Sequence, residues 1–417
     1  MNRAEGKPRV VLVVPAFPKL SETFIVRHFL GLLDRGWDVY VFCDRSPAED
    51  WRHFPELDRP EVRRRVKLAR SSRPRARLLY RLPLTLAECL CRQPRASLAH
   101  LRRGRAEAGL LAALRQLYLD SGLLLLAPTL VHFEFGTLAR GRAGLAQRLG
   151  CRVAVSFRGY DLNFVGLDDP DFYAPVWREA AAIHLLGADL ERRARHRGCP
   201  PELPTFKIPP AVDPRRFAPR GERPPGPLRL LSVGRLEWKK GYEDALVALD
   251  LLQRQGLDFR WRLVGDGRFL EALAFTRHQL GLEAKVELVD ALPPAAIAAE
   301  LAAADLFLHP AISEGFCNAV LEAQAAGVAV VCSDADGLAE NVENGVTGLV
   351  VPRRDPAALA AAIAELGADL PRCRRFGEAG RQRAAERFQP AAELAAFEAF
   401  YASILAEPAK CGSTSSG

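Results

Sequence analysis

Residues 309–331 read HPAISEGFCNAVLEAQAAGVAVV and carry the pattern that decides the fold. Strand-like apolar runs stand at both ends of this stretch, and Glu314 and Glu322 lie eight residues apart between them, separated by Gly315 and Asn318. The pattern predicts a strand, a loop that holds Glu314, and a helix whose first turns hold Glu322. Both carboxylates can then face a polyhydroxylated ligand that lies across the N-terminus of that helix.

Length and composition set the broad class of the protein. At 417 residues the chain exceeds the ~250 to 300 residues at which a single hydrophobic core stops growing, so we expect two domains. Its 49% hydrophobic and 26% charged residues fit a soluble globular protein, and its longest apolar runs are far shorter than the ~20 residues of a membrane span. Nine cysteines, an odd number with no C-x-x-C pair, favour reduced thiols and a cytoplasmic location.

The positive charge of the chain is unevenly distributed. The net charge is +8, yet residues 59–105 alone hold fifteen Lys and Arg against two acids, a local +13 that leaves −5 for the rest. The segment predicts a basic face that can attract nucleic acid, anionic lipid or a pyrophosphate-bearing substrate. An arginine-rich composition that forms an ordinary solvated face is the alternative.

Short apolar strands alternate with helices along the chain, which predicts parallel sheets covered by helices on both faces. The Pro- and Gly-rich stretch APRGERPPGP interrupts this alternation and indicates a linker between two doubly wound α/β domains. In the first domain we predict a helix from Ser21, its N-cap, to Gly36. The predicted segments are an N-terminal domain at 1–217 with a basic insert at about 50–120, the linker at 218–227, a C-terminal domain at 228–389, a helix at 390–407 and a disordered tail at 408–417.

A cationic loop follows the first strand of the second domain. It reads GRLEWKKG and places Arg235, Lys239 and Lys240 between Gly234 and Gly241, just before a predicted helix. Two or three cations, a flexible backbone and a helix N-terminus suit a diphosphate. A solvated basic loop is the alternative.

The two glutamates complement this loop. Carboxylates accept hydrogen bonds from hydroxyls, so Glu314 and Glu322 can hold a hexose and a ribose that share a diphosphate, while backbone amides of residues 315–318 act as donors. The ligand that we infer is a sugar nucleotide. Taken alone, Glu322 can equally be a helix surface residue, and Glu314 can simply improve a helix dipole.

Seven motifs carry a family resemblance. GRLEWKKG, RLVGDG, ADLFLHPAISEGFCNAVLEAQAAGVAVV and ENVENGVTGLVVP resemble the donor-binding half of family 4 glycosyltransferases, which are retaining enzymes of the GT-B fold. PAFPKLSETFIVRHF, VSFRGYDL and PPAVDPRRF are similar to the acceptor half of members that build bacterial exopolysaccharides such as colanic acid. The resemblance implies two Rossmann-like domains that face each other across a cleft, with the C-terminal helix packed back on the first domain.

The resemblance also assigns roles to individual residues. Arg235 and Lys240 would bind the donor diphosphate and stabilise it as the leaving group, Glu314 would hold hydroxyls of the transferred sugar, and no metal or other cofactor would be needed. The donor-binding positions that it implies are Gly234, Gly315, Phe316, Cys317, Asn318 and, for the ribose, Glu322.

Two departures from the family pattern bear on the site. In FRGYD, Arg158 stands where many relatives have histidine, and a guanidinium cannot shuttle a proton but can clamp a phosphate. We therefore predict an acceptor or phosphate clamp of Arg158, Asp161 and Ser21, with simple pairing of Arg158 and Asp161 as the alternative. Where relatives often show paired glycines, this chain has Asp336 before Gly337, and a side chain there can narrow the donor site.

Some residues imitate a metal site. Residues 169–171 and 334–336 both match a D-x-D pattern, but the first is expected to cap a helix and the second falls inside the family motif, so no metal is predicted. His132 and His309 are expected to be core residues rather than ligands.

The sequence thus favours a cytoplasmic, retaining hexosyltransferase that uses a nucleotide-diphosphate sugar and a saccharide acceptor linked to a polyprenyl diphosphate. The basic segment and the amphipathic stretch at residues 78–90 would dock it on the anionic inner face of the membrane. Alternatives are transfer to a small-molecule or natural-product acceptor, hydrolytic epimerisation of a sugar nucleotide, and a non-catalytic sugar-nucleotide-binding protein. Binding of nucleic acid is disfavoured because the arginine run contains almost no aromatic residues.

Overall fold

The structure is a computed structural model that describes residues 8–71, 75–217 and 226–406. The Ser21 side chain, most of the predicted linker and the predicted tail lie outside the described residues. The chain forms two compact units. The first takes the chain up to Leu185, then Arg192–Lys207 and the chain from Leu394, and the second takes Leu186–Glu191 and Ile208–Glu393.

The first unit is built on a parallel sheet of seven strands in the order β3-β2-β1-β4-β5-β6-β7. Residues 10–14 of β1 are at most 2% exposed, as expected for a strand that is covered on both faces. The chain order reverses between β1 and β4, which creates a crevice at their carboxyl ends. The strands are β1 Arg9–Ala16, β2 Asp38–Arg45, β3 Val66–Leu68, β4 Leu130–Phe133, β5 Arg152–Phe157, β6 Ala182–Leu185 and β7 Thr205–Lys207.

Eleven helices are described before the second sheet begins: α1 Thr23–Asp34, α2 Ala48–Trp51, α3 Pro60–Arg63, α4 Arg75–Arg92, α5 Pro94–Ala108, α6 Leu110–Leu126, α7 Gly136–Arg140, α8 Leu145–Leu149, α9 Tyr160–Phe164, α10 Ala174–Glu179 and α11 Ala188–His196. The basic segment thus contains α4 and most of α5, and α6 follows it directly. They share a small apolar core of Cys89, Leu117 and Leu124.

The start of α1 corrects one prediction. Leu20–Glu22 forms a 3₁₀ turn, and the α-helix begins only at Thr23, so Glu22 rather than Ser21 is the residue before it. The 3₁₀ turn uses the residues that were assigned to the first turn of the helix, and Lys19 pairs with Glu22 across it at 2.5 Å.

The second unit contains a parallel sheet of six strands in the order β10-β9-β8-β11-β12-β13. The chain order reverses between β8 and β11. The strands are β8 Leu228–Val233, β9 Phe259–Val264, β10 Val286–Val289, β11 Leu306–His309, β12 Ala329–Ser333 and β13 Gly348–Val351. The helices are α12 Tyr242–Arg254, α13 Leu270–Gln279, α14 Pro294–Ala303, α15 Asn318–Ala325, α16 Pro356–Ala368 and α17 Leu370–Arg387. The C-terminal α18 Pro390–Ala406 belongs to the first unit from Leu394 on.

Helix α18 packs on the sheet of the first unit. The Tyr401 hydroxyl lies 2.7 Å from His132 Nδ1, and the Phe397 ring stacks on His28 with centroids 4.1 Å apart. Trp37 Nε1 donates to Glu398 Oε1 at 2.8 Å. The predicted α/β fold with two doubly wound sheets and a C-terminal helix that packs on the first domain is therefore confirmed.

A search of the described helices finds none with the length and apolar character needed to cross a bilayer.

Candidate active site

The predicted donor-binding residues gather at the carboxyl ends of neighbouring strands in the second unit. The cationic loop follows β8 and the Glu314 loop follows β11, so the two loops flank the point at which the strand order reverses. Backbone bonds join them, since Ile312 N donates to Lys239 O at 2.8 Å. Gly241 closes the cationic loop at φ +65°, and a Cβ there would lie 2.0 Å from Pro310 O, so only glycine fits.

Lys240 and Glu314 form a buried ion pair at the centre of this arrangement. Lys240 Nζ lies 2.5 Å from Glu314 Oε2, and their side chains are only 11% and 13% exposed. Burial works to raise the pKa of Glu314, but the Lys240 ammonium outweighs it and holds that pKa well below its usual range. Burial likewise works to lower the pKa of Lys240, and Glu314 reverses the effect, so both groups are charged at neutral pH.

Further cations surround the pair. Burial lowers the pKa of Lys239, Glu314 opposes this, and the positive charges of Lys240 and Arg235 lower the pKa further. Arg235 is exposed, whereas Lys239 is half-buried. The loop therefore collects more positive charge than Glu314 balances, which is the condition under which an anionic ligand binds with favourable Coulomb energy.

The segment after Glu314 is held by a residue that the sequence did not single out. Asn341 accepts a hydrogen bond from Cys317 N at 3.0 Å and donates to Cys317 O at 3.0 Å. The Cys317 amide, which we predicted among the donors to the ligand, is thus already hydrogen-bonded within the protein. Phe316 is buried and packs against Phe388, with ring centroids 5.8 Å apart.

Helix α15 begins at Asn318, so the predicted strand, loop and helix occur in that order. Glu322 lies one turn later and is half-buried, between the fully buried neighbours Leu321 and Ala323. Residues four apart share a helix face, which places Glu322 on the same face as Asn318. The structure thus brings Arg235, Lys240 and Glu314 to adjoining loops and puts Glu322 on the helix that follows.

Asp336 does not stand as an isolated side chain at the glycine position. It has φ +48°, and its carboxylate accepts from Ser313 Oγ and pairs with Arg353 Nη1 at 2.9 Å. Arg353 also pairs with Asp334 at 3.2 Å, so one guanidinium engages both aspartates of the second D-x-D pattern. The next residue, Gly337, is required, because a Cβ there would lie 2.0 Å from the Gly315 carbonyl oxygen.

In the first unit, Arg158 is held by a carboxylate that sequence reasoning missed. Its guanidinium donates to Glu134 Oε2 and, through Nε, to Glu134 O at 3.2 Å, and it lies 4.1 Å from the Phe24 ring. Asp161 instead accepts from the backbone amides of Thr137 at 3.1 Å and Arg158 at 3.4 Å. The alternative of an Arg158 guanidinium that only pairs with Asp161 is therefore wrong.

Glu134 is fully buried and immediately follows β4, at the crevice where the order of the first sheet reverses. Burial works to raise the pKa of Glu134, but His132, Arg158 and His28 together hold it well below its usual range. His28 Nδ1 lies 3.3 Å from Glu134 Oε1. The position of Glu134 directly after an apolar strand is a signal by which the sequence could have identified it.

One group of potential metal ligands is present among the described residues. The ligand atoms of His309, Glu314 and Cys317 all lie within 4.8 Å of one another. Opposite nitrogens of the imidazole face the other two groups, Nδ1 at 3.9 Å from Cys317 Sγ and Nε2 at 3.5 Å from Glu314 Oε2. A single ion needs all its ligands within about 2.0–2.3 Å, and the Lys240 ammonium already engages Glu314, so the arrangement fits a chain of polar contacts better than a metal site.

A cavity of about 540 Å³ lies elsewhere in the second unit, beside the amino-terminal halves of β8 and β9 and strand β10. Arg229, Arg260 and Glu300 are among its lining residues, and none of the predicted site residues lines it.

Comparisons with known proteins place the cationic loop and both glutamates in one recognised domain. The family model described as "Glycosyl transferases group 1" matches residues 215–383. WcaL of Escherichia coli, named as a colanic acid biosynthesis glycosyltransferase, is 29% identical over 376 residues, covering 85% of this chain and 90% of WcaL. The amylovoran biosynthesis glycosyltransferase AmsK of Erwinia amylovora is 28% identical over 364 residues, covering 84% and 88%.

A GDP-mannose-dependent phosphatidylinositol monomannoside mannosyltransferase of Mycolicibacterium smegmatis is 31% identical over 275 residues, covering 59% of this chain and 69% of that protein. Among solved structures, HepE of Anabaena in complex with UDP superposes with a TM-score of 0.72 at 17% identity, covering 95% of this chain and all of HepE. At this identity the likeness shows the fold alone.

Proposed function

We propose, from the premise that this chain belongs to the group 1 glycosyl transferases, that it moves a hexose from a nucleotide-diphosphate sugar to a saccharide acceptor in the assembly of a surface polysaccharide. The observation that carries the proposal is the buried Lys240–Glu314 pair, which sits among further cations at the reversal point of the second sheet. Cations suit the diphosphate of such a donor, and a carboxylate suits its sugar hydroxyls.

The cationic loop would stabilise the leaving group. As the bond between the sugar carbon C1 and the phosphate oxygen breaks, negative charge grows on the diphosphate, and Lys240 and Arg235 would face that charge. The Lys240 ammonium has three N–H donors, of which Glu314 accepts one, so Lys240 can hold a phosphate oxygen while the pair stays intact. Because Lys240 is buried, this stabilisation acts in a medium of low effective dielectric constant.

We further propose transfer without a metal ion and with retention of anomeric configuration. The acceptor oxygen would form its bond to C1 on the face that the diphosphate leaves, and a departing phosphate oxygen would take the proton of the acceptor hydroxyl. Glu314 would meanwhile hold hydroxyls of the sugar and fix its orientation, and Glu322 would hold the ribose of the nucleotide.

The acceptor that we propose is a saccharide linked to a polyprenyl diphosphate, presented at an anionic membrane. Several large apolar side chains are exposed on helices α4 to α6, in the basic segment and directly after it, namely Tyr80, Leu84, Leu98, Leu110 and Leu111. Exposed apolar side chains among arginines are typical of surfaces that bind anionic lipid.

Vesicle binding tests the membrane proposal. We expect the full chain to float with vesicles of phosphatidylglycerol and not with vesicles of phosphatidylcholine, and Leu84→Asp combined with Leu111→Asp to reduce flotation at least tenfold. Leu167→Asp is the matched control, because Leu167 is similarly exposed outside these helices. Equal flotation of all variants would remove the membrane from the proposal.

Thermal unfolding with a panel of donors tests the transferase site. A ligand at 100 times its Kd stabilises the folded state by about 2.7 kcal/mol, so UDP-glucose, GDP-mannose and related sugars should separate into donors that raise Tm and others that do not. Glu322→Ala should abolish the shift, whereas Glu271→Ala, an exposed glutamate in α13, should keep it. Absence of a shift with every nucleotide sugar would contradict the proposed function.

A further inference from the structure

Cys317, His309 and Glu314 form a buried chain of contacts that the proposed transfer does not use beyond Glu314. Cys317 Sγ lies 3.9 Å from His309 Nδ1, and His309 Nε2 lies 3.5 Å from Glu314 Oε2. His309 is fully buried, and its Nε2 has no hydrogen-bond partner among the described residues. An imidazole between a thiol and a carboxylate is the arrangement by which proteins activate a sulfur nucleophile.

Two further features act on the Cys317 thiol. It occupies the N-cap position of α15, an eight-residue helix, and the positive end of a helix favours a thiolate. Burial works to raise the pKa of Cys317, but the charges of His309 and Lys240 lower it below the ordinary value. The pKa of His309 is raised even though burial works to lower it, chiefly because Cys317 favours the imidazolium. The two shifts have the signs of a thiolate–imidazolium pair.

Other cysteines of this chain show the opposite effect. Burial raises the pKa of Cys43 and of Cys151 to about 12, and it raises the pKa of Cys332 further. Of the described cysteines whose pKa shifts, Cys317 is the one with a lowered value. Cys91, in contrast, is exposed to solvent.

We propose that Cys317 is a peroxide-sensitive thiol, and that its oxidation to a sulfenic acid disables the donor site beside Glu314. The thiolate sulfur attacks one oxygen of a hydroperoxide, an S–O bond forms and the O–O bond breaks. The sulfur is oxidised and the peroxide is reduced to water or an alcohol, with His309 supplying the proton to the leaving oxygen. A small-molecule thiol reverses the change by reducing the sulfenic acid.

The modification stands on the geometry of Cys317 and His309 alone, whereas its effect on activity rests on the proposed function. Conversion of the thiolate to a sulfenic acid removes the negative charge that His309 faces and adds an oxygen atom to a side chain that is only 3% exposed. We expect the Glu314 loop to shift as a result, because its backbone continues directly into Cys317.

Labelling of the full chain tests the thiol. The protein is treated with hydrogen peroxide, the sulfenic acid is trapped with dimedone, and the label on each cysteine is read by peptide mass spectrometry. We expect Cys317 to be labelled faster than Cys91, although Cys317 is only 3% exposed. Solvent exposure alone predicts the reverse order, and that order would overturn the proposal. Fully buried Cys332 reports unfolding, because it gains label only when the core opens.

A variant tests the role of the imidazole. His309→Gln should slow the labelling of Cys317 about tenfold, the change that corresponds to one pKa unit of the thiol. His278→Gln is the matched control, since His278 is an exposed histidine paired with Glu283 and should leave the rate unchanged. An unchanged rate in folded His309→Gln would refute the assignment. If His309→Gln unfolds, so that Cys332 gains label, the proposal is judged from the native chain, by whether Cys317 is labelled faster than Cys91.

Protection by a donor distinguishes the thiol assignment from its effect on the proposed transfer. The donor that raises Tm, such as UDP-glucose or GDP-mannose, should slow the labelling of Cys317, and dithiothreitol should restore the transfer activity lost on oxidation. Fast labelling of Cys317 without protection by any nucleotide sugar would contradict the proposed function and leave the thiol assignment standing. Slow labelling of Cys317 would contradict the thiol assignment, whatever the donor does.

Discussion

Replacement of Lys240 with methionine tests whether the ion pair with Glu314 organises the donor site. The variant leaves a carboxylate that is 13% exposed without the ammonium that lies 2.5 Å away in the native chain. Loss of one partner of a buried pair costs about 3–5 kcal/mol, and because both side chains keep slight contact with water, we expect about 3 kcal/mol here. Glu314→Gln instead leaves the Lys240 ammonium without its partner and should lower the free energy of unfolding by about 2–3 kcal/mol.

The double variant gives the decisive number. With both charges removed, no buried ion remains unpaired, so Lys240→Met with Glu314→Gln should be less destabilised than the sum of the single variants by about 2 kcal/mol. Urea unfolding of the full chain, followed by far-UV circular dichroism, measures the three free energies against the native protein. The contribution of the first unit is the same in every variant and cancels in the cycle.

A control pair calibrates this result. Arg254 and Asp250 pair at 2.8 Å on the same unit, but the arginine side chain is 73% exposed, so the coupling of Arg254→Met and Asp250→Asn should stay below about 1 kcal/mol. Additive single-variant costs for Lys240 and Glu314, within about 0.5 kcal/mol, would refute the view that the two charges depend on each other.

Three further predictions concern pH, a backbone position and the C-terminal helix. The pKa of Glu314 in the folded state lies below its unfolded value of about 4.3, so the ionised carboxylate stabilises the fold above that pH and this stabilisation is lost as the pH falls. The difference in unfolding free energy between the native chain and Glu314→Gln, measured in urea, should therefore shrink below about pH 4. Asp336→Gly relieves a left-handed φ worth about 1 kcal/mol and loses a partly exposed ion pair of similar worth, so the free energy of unfolding should change little. The apparent donor affinity measured by calorimetry should nevertheless fall several-fold in Asp336→Gly, whereas the control Asp334→Asn should keep it. Tyr401→Phe removes the hydroxyl that contacts one ring nitrogen on each of two buried imidazoles, His132 Nδ1 and His28 Nε2, and should cost about 1–3 kcal/mol of unfolding free energy. Ser403→Ala on the same helix should cost under about 0.5 kcal/mol.

The sheet of the second unit could be predicted closely because its strands are short and mostly apolar, and β11 and β12 are buried along their whole length. The sequence predicts strands at Leu228–Val233 and Leu306–His309, which are the bounds of β8 and β11, and a helix at Tyr242–Gln255, one residue longer than α12. Runs of four to six mostly apolar residues between turn residues predict strands rather than helices. The sequence pattern does not predict α13, because its apolar residues do not form one face and Phe275 is exposed to solvent.

The basic segment shows the opposite case. Its arginines predict a charged surface, but they hide the helical periodicity of α4 and α5, because a long side chain at any helical position can reach solvent. The buried residues that join these helices include Asp120, which accepts from His100 at 3.0 Å and Arg148 at 3.2 Å. The sequence does not distinguish such buried charges from surface charges, because it does not show which helices pack together.

The partners of the site residues also could not be predicted. The sequence supplies Lys240 and Glu314, but their pairing depends on β8 and β11 being neighbours, 74 positions apart in the chain. Arg158 and Glu134 likewise meet only because β4 and β5 adjoin. The separation of two residues in the sequence does not indicate that they pair, whereas the order of the strands in the sheet shows which loops are neighbours.

A common rule connects these three arginine or lysine side chains. Lys240, Arg158 and Arg353 each follow a strand, and each is held by a carboxylate from the loop of another strand, namely Glu314, Glu134 and Asp336 with Asp334. A cation that is partly withdrawn from water needs such a partner when no ligand is bound, because an unpaired buried charge costs several kcal/mol. The carboxylate therefore keeps the cation in position for an anion, and the donor that we propose would meet a site whose charges are already arranged. Little binding energy is then spent on ordering long side chains. For this reason we assign the diphosphate to a loop at the reversal point of the sheet and not to the exposed arginine run.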